Sequence, residues 1–195
     1  MILSNLEIQN ALDKRRLVIE PQPSPREVKP GVKYCPYDTT AVDLKLHNEI
    51  SIPKGGTFAY DLTKPGSVSD FLVRNSKRLF LTEDQPFLLK PRQFVLGKTF
   101  EKIGLPIDKE PPSLAARVEG KSSRSRCGVL VHFTAPTVHA GWSGHLTLEI
   151  INLGPTTFLL RPEMPIAQLI VEEVRGEVML NPSQFQNQST PEGLT

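Results

Sequence analysis

Prolines and glycines punctuate this chain at short intervals: 18 Pro and 13 Gly among 195 residues leave little room for an uninterrupted helix. What fits between them is a series of short apolar runs with a period of two. Val42, Leu44 and Leu46 alternate with Asp43, Lys45 and His47, the signature of a half-buried strand. Further strands are predicted at 17–19, 56–60, 86–90, 93–100, 115–118, 128–134, 145–152, 156–161 and 166–173. The one predicted helix is at the start, where Ser4 and Glu7 form a capping box and Leu6, Ala11 and Leu12 supply an apolar stripe. It should stop near Lys14-Arg15-Arg16, cations that suit the carboxyl end of a helix dipole. About ten strands behind one short helix predict a mainly β protein, an antiparallel barrel or jelly roll. Residues 62–84, with Pro65-Gly66, read as an insertion loop or small excursion. Residues 1–180 read as a single domain, and 181–195, polar and rich in Gln, Ser and Pro, as a flexible C-terminal arm.

Charge excludes some functions. With 23 basic and 21 acidic side chains the formal net charge is only +2, so the chain lacks the global field of a nucleic-acid or membrane-surface binder. Any anion must be held by a local cluster. No uncharged run approaches bilayer length, and the N-terminus has no basic region leading into an apolar stretch. A cytoplasmic protein is expected, with Cys35 and Cys127 as reduced thiols.

The densest polar cluster is Glu119-Gly120-Lys121-Ser122-Ser123-Arg124-Ser125-Arg126, between two apolar strands. Three cations, three hydroxyls and a glycine at such a junction suit an anion-binding turn, although the composition also fits a solvated basic loop. The glycine spacing is not that of a Walker loop. Glu149 sits in His145-Leu146-Thr147-Leu148-Glu149-Ile150-Ile151, with Leu146, Leu148 and Ile150 on one face. A carboxylate with apolar neighbours is partly desolvated, a setting for proton transfer; the wet face of an edge strand is the other reading. Trp142, between Gly141 and Ser143-Gly144, either stacks on a base or caps the barrel end. A zinc deaminase site is not predicted. His47-Asn48-Glu49 has no Cys-x-x-Cys to follow it, and His132, His139 and His145 lack the spacing of a zinc-binding helix.

Taken in order, the motifs Glu119-Gly-Lys-Ser-Ser-Arg-Ser-Arg-Cys-Gly128, His132-Phe-Thr-Ala135 and Gly141-Trp-Ser-Gly-His-Leu-Thr-Leu-Glu149 resemble the dCTP deaminases of the trimeric dUTPase superfamily. Val42-Asp43-Leu44-Lys45-Leu46, Phe94-Val95-Leu96-Gly97-Lys98-Thr99 and Arg161-Pro162-x-Met164-x-Ile166-Ala167-Gln168-Leu169 extend the match over nearly the whole chain. The opening Met-Ile-Leu-Ser…Gly-x-Leu-Val-Ile-Glu-Pro pattern is also present, with Arg15 where that family has glycine.

The resemblance implies a distorted, dUTPase-like jelly roll assembled as a homotrimer with active sites between subunits. It implies hydrolytic release of ammonia from the cyclic amidine of dCTP to give dUTP, with no zinc and with magnesium arriving on the triphosphate. Glu149 would activate the water, Ser122 would contact the triphosphate, and Arg126 would hold water and substrate near Glu149. Lys121 replaces an arginine, keeping the charge but losing the bidentate fork. Ser123 would also contact substrate. Ala135 would contact the base, with His132 behind it, and Trp142 would border the substrate. The resemblance also brings dTTP as a feedback inhibitor.

Two departures bear on the reaction. His139 stands in Val138-His139-Ala140-Gly141-Trp142 where the family has an aspartate, the residue that activates water for attack on phosphate in dUTPases and bifunctional members. The arm, Gln184-Phe185-Gln186-Asn187-Gln188, keeps the final glutamine, Gln188, but lacks the family's tyrosine and lysine. A dUTP pyrophosphatase, or a bifunctional deaminase and pyrophosphatase, is therefore the alternative within the fold. A non-catalytic nucleotide-binding regulatory trimer is the alternative outside catalysis.

Overall fold

The computed structural model describes residues 1–31, 33–56, 59–61, 63 and 68–195. Its first element, α1 (Asn5–Asp13), begins at Ser4, whose Oγ accepts from the Glu7 amide at 3.3 Å. The Glu7 carboxylate accepts from the Asn10 side chain at 3.4 Å. The buried stripe is Ile8, Ala11 and Leu12, at i, i+3 and i+4. Leu6, expected in that stripe, is 72% exposed, because two residues along a helix is roughly 200° around it.

The end of α1 is more specific than its charges suggested. Arg15 N–H donates to Leu12 O at 3.1 Å and Arg16 N–H to Ala11 O at 2.9 Å, the paired bonds of a Schellman motif. That motif needs a left-handed residue after the cap, and Arg15 supplies it at φ 55. This is the position where the sequence pattern calls for glycine.

The strands follow as β1 (Val18–Glu20), β2 (Tyr37–Asp38), β3 (Ala41–Lys45) and β4 (Glu49–Pro53). Helix α2 (Val68–Arg74) leads to β5 (Ser76–Phe80), β6 (Phe87–Leu89), β7 (Phe94–Gly104) and β8 (Leu114–Gly120). A single turn, α3 (Ser122–Ser125), precedes β9 (Val129–Val131), β10 (Thr137–Val138), β11 (Ser143–Asn152), β12 (Phe158–Leu160) and β13 (Pro165–Glu173). One antiparallel sheet runs β5-β4-β7-β11-β9, with β1 also on β7; the second runs β10-β8-β13-β3-β2. β12 and β6 form a separate pair. Leu44, Ile50, Val95, Leu148, Ile150 and Leu169 belong to the shared core. The expected mainly β, antiparallel architecture with a short N-terminal helix is observed.

Residues 68–80, expected to be loop, form α2 and β5. β5 pairs along β4 with Leu79 opposite Ile50, and it is an edge strand carrying Lys77 and Arg78, so its sequence lacks the alternation of a half-buried strand. Thr57 and Phe58, within the predicted strand at 56–60, and the Pro65-Gly66 turn lie outside the described residues. Among the described residues no helix is long and apolar enough to cross a membrane. Cys35 and Cys127 are free.

The arm pairs along the edge of β11 at its start. Asn187 N–H donates to Ser143 O at 2.7 Å, His145 N–H to Gln188 O at 2.9 Å and Gln188 Nε2 to His145 O at 2.7 Å. Pro191 to Gly193 are buried beyond it.

Arg15→Gly should stabilise the protein by about 1 kcal/mol, because glycine takes the left-handed conformation without the Cβ clash and the exposed Arg15 side chain leaves no packing behind. Thermal denaturation of the two proteins checks this: a rise of a few degrees is expected.

Candidate active site

β11 alternates buried and partly exposed residues without a break, so Leu146, Leu148 and Ile150 enter the core while His145, Thr147 and Glu149 share the outer face. Its register on β7 shifts between His145 and Thr147, and the buried Thr99 hydroxyl accepts the Leu146 N–H at that irregularity (2.9 Å). Past the shift, Glu149 lies opposite Leu96. A cavity of about 410 Å³ opens over this face, roofed by Val68 and Leu72 of α2 and by arm residues including Phe185 and Pro191.

His132 is placed beside Glu149 by backbone bonding. Directly after β9 it adopts φ 56 and donates its N–H to Glu149 O at 2.8 Å. Its Nε2 lies 2.8 Å from Ala135 O and its Nδ1 3.0 Å from Thr147 O. Carbonyls only accept, so satisfying both requires a proton on each ring nitrogen. Nδ1 is also 3.1 Å from Glu149 Oε2, but the ring N–H is better aligned with Thr147 O, leaving that buried carboxylate oxygen in charge contact without an aligned donor. Burial opposes the imidazolium. The close Glu149 carboxylate, its charge and the two carbonyls outweigh that penalty and hold the His132 pKa above its ordinary value. The Glu149 side chain stays 28% exposed toward the cavity.

The cavity gathers six of the expected residues: Glu149, His132, Ala135, His139, Trp142 and Gln188. His139 is exposed, just beyond β10. Trp142 is 8% exposed and donates its indole N–H to Phe185 O at 3.2 Å, so the ring anchors the arm as well as lining the wall. Gln188 directs its amide inward to β11. Thr147 is a wall residue that the sequence reading did not single out; its hydroxyl is buried without a hydrogen-bond partner. Its place on the Glu149 side of β11 was the available signal. α2 gave none, since its wall residues are ordinary apolar side chains.

The basic turn is elsewhere. Lys121, Ser122, Ser123 and Arg126 do not line this cavity. Ser122, Ser123 and Arg126 are exposed around α3, whereas Lys121 forms an ion pair with the buried Asp43, whose other oxygen accepts from Tyr34 at 2.5 Å. The turn is fixed at its far end by a crossing of two glycines. Gly128 is left-handed, at φ +84, and a Cβ there would lie 2.4 Å from Gly154 N; one on Gly154 would lie 2.2 Å from Cys127 O. The buried Asn152 accepts Gly154 N–H and donates to Leu89 O and Thr156 O, bracing that crossing from the end of β11. Among the described residues no three His, Cys, Asp or Glu side chains form a metal-holding group.

Comparison with known proteins places the chain among relatives. A family model described as dCTP deaminase-like matches residues 2–174. A dCTP deaminase from Aeromonas salmonicida (strain A449) is 34% identical over 179 residues, covering 90% of this chain and 86% of the relative. A "dCTP deaminase, dUMP-forming" from Dictyoglomus turgidum is 37% identical over 173 residues, covering 87% and 78%. The crystal structure of a 2'-deoxycytidine 5'-triphosphate deaminase from Agrobacterium tumefaciens shares the fold, with a TM-score of 0.64 at 18% identity. That match covers 87% of this chain, which spans about half of the longer one (48%). With the family match running through both sheets and past β11, the chain belongs to the dCTP deaminase-like family.

Proposed function

We propose that this protein converts dCTP and water to dUTP and ammonia, with the water activated by Glu149 and without zinc. The observation that carries the reading is the Glu149–His132 pair at the wall of a largely apolar cavity, with Ala135 beside it. Glu149 takes a proton from water as the water oxygen bonds to C4 of the cytosine, and passes it to N3 as the C4–N3 double bond opens. The remaining hydroxyl proton is then carried to N4 as the C4–N4 bond breaks, which leaves C4=O and N3–H on the uracil and releases ammonia. His132, held by two carbonyls, keeps the carboxylate oriented. Its role is positioning.

One chain supplies only half of this site. The phosphate-binding chemistry of Ser122, Ser123 and Arg126 is exposed and apart from the cavity, which fits a homotrimer in which a neighbouring copy's turn meets Glu149. There Arg126 would grip water and substrate and the serines the triphosphate, taken as its magnesium complex. Lys121 would have to exchange Asp43 for phosphate. Relatives bearing the dUMP-forming name support a second reading, in which dUTP is hydrolysed further. His139 at the cavity argues for deamination alone, since the expected water-activating carboxylate is missing from that position.

Incubating the purified protein with magnesium and either dCTP or dUTP, then separating the products, tests the reading: dUTP and ammonia from dCTP, with little dUMP. His139→Asp should introduce measurable dUMP formation or lower the apparent KM for dCTP; efficient pyrophosphate release from dUTP by the unmodified protein would reverse the assignment.

Glu149→Gln should reduce deamination by on the order of 100- to 10,000-fold while leaving the protein folded, since the amide is nearly isosteric but cannot take the proton. Retention of activity within a few-fold would remove Glu149 from the mechanism.

His132 makes a stability prediction with a definite sign. Its raised pKa means that the pairing contributes fully below about pH 6.5 and is lost as pH rises through the folded-state value. The difference in melting temperature between wild type and His132→Gln should therefore shrink from mildly acidic to alkaline pH. A difference constant with pH would show that the ring acts as a neutral packing group.

A further inference from the structure

The arm is tied down by more than its main chain. Glu192 is 3% exposed, and its Oε2 accepts from Arg78 at 2.6 Å. Arg78 Nε is also 3.1 Å from Glu49 Oε1, and the other Glu49 oxygen is 2.8 Å from Lys98 Nζ. Lys98 in turn donates to Ser189 O on the arm. Two cations and two carboxylates thus alternate from β7 through β4 and β5 to the arm. Glu49, Lys98 and Glu192 are nearly buried, and Arg78 is about one-third exposed (34%).

Such groups are costly to bury unless paired, so removing one leaves the others uncompensated. Burial pushes the Glu192 carboxyl upward, but the Ser51 hydroxyl and then Arg78 bring it below its ordinary value. Gly193 fits the same seam: a Cβ there would lie 2.8 Å from the Phe185 ring and 3.1 Å from Ser69 Oγ of α2. The tail is therefore pressed between α2 and the ring that helps roof the cavity. None of these contacts uses phosphate.

We infer that Arg78, Glu49, Lys98 and Glu192 form a charge latch that holds the C-terminal arm closed over the cavity before any nucleotide is bound. Arg78 and Glu192 are positioning residues in this scheme: they set Phe185, Gln188 and Pro191 as a finished wall. The absence of the expected arm lysine and tyrosine hydroxyl is consistent with it, because closure here draws on charges of the chain itself. Closure is independent of which nucleotide the cavity takes; its effect on turnover rests on the deaminase reading. A latched arm must open to admit substrate, which makes opening a step on the binding path.

Hydrogen–deuterium exchange of the full chain without nucleotide tests the latch directly. Amides donated by Asn187, Ser189 and Gly193 should be protected in the wild type. Glu192→Gln keeps the shape but removes the charge, and should speed exchange across residues 187–193 by about tenfold or more, with β7 and residues 148–152 of β11 unchanged as the internal control for folding. Wild-type arm amides exchanging at the rate of a free peptide would overturn the inference, as would wild-type protection in Glu192→Gln. Because exchange requires no turnover, failure of the latch and failure of the deaminase assignment give separate results.

Discussion

Strict alternation along β11, held in register against β7, decides what the outer face of this protein can do. A slip of one residue would send Glu149 into the core and lift Leu148 and Ile150 into water, exchanging every side chain of the strand between faces at once. The register shift near Leu146 concentrates the irregularity where Thr99 can satisfy the affected N–H. Beyond it the strand is regular through Glu149, so the carboxylate is aimed by the same ladder that packs the core. The geometry of the cavity wall and stability are coupled at this strand. The coupling runs through backbone hydrogen bonds, which fix side-chain direction at little entropic cost once the sheet has formed.

Electrostatic pairing divides the surface above that ladder into two regions. Near Glu149 the imidazolium of His132 is favoured by the Glu149 carboxylate first and by two carbonyls that cannot donate. Farther along, Lys98 and Arg78 offset Glu49 and Glu192 in a nearly dry setting. The first pair leaves part of its carboxylate toward the cavity, as a proton carrier requires. In the second, every charge has a partner, as a structural fastening requires. Exposure separates the two uses of the same residue types.

Local signals carried the start of the chain and the long strands. Ser4 before Glu7 located the cap, and the alternation around Glu149 identified both the strand and the face. Leu6 shows the weakness of a stripe judged by composition: it is apolar and helical, yet it points to solvent. β5 was missed because an edge strand with Lys77 and Arg78 has no face to alternate. The arm's docking was not legible either. Arg78 and Glu192 are 114 positions apart, and no local pattern encodes a pairing that the whole sheet must first bring together. The same holds for Lys121 and Asp43, which turned a cation expected to await phosphate into one side of an internal pair.

The crossing of Gly128 and Gly154 gives the two halves of the proposed site a common mechanical frame. With backbone against backbone and no side chain to compress, the segment after Arg126 and the end of β11 are in direct main-chain contact. Within one subunit the exit of the basic turn and the end of the Glu149 strand thus share one close-packed junction. If three copies share their sites around a ring, adjustment to a substrate falls to the angle at which neighbours dock, and a change at one interface alters the spacing available to the next.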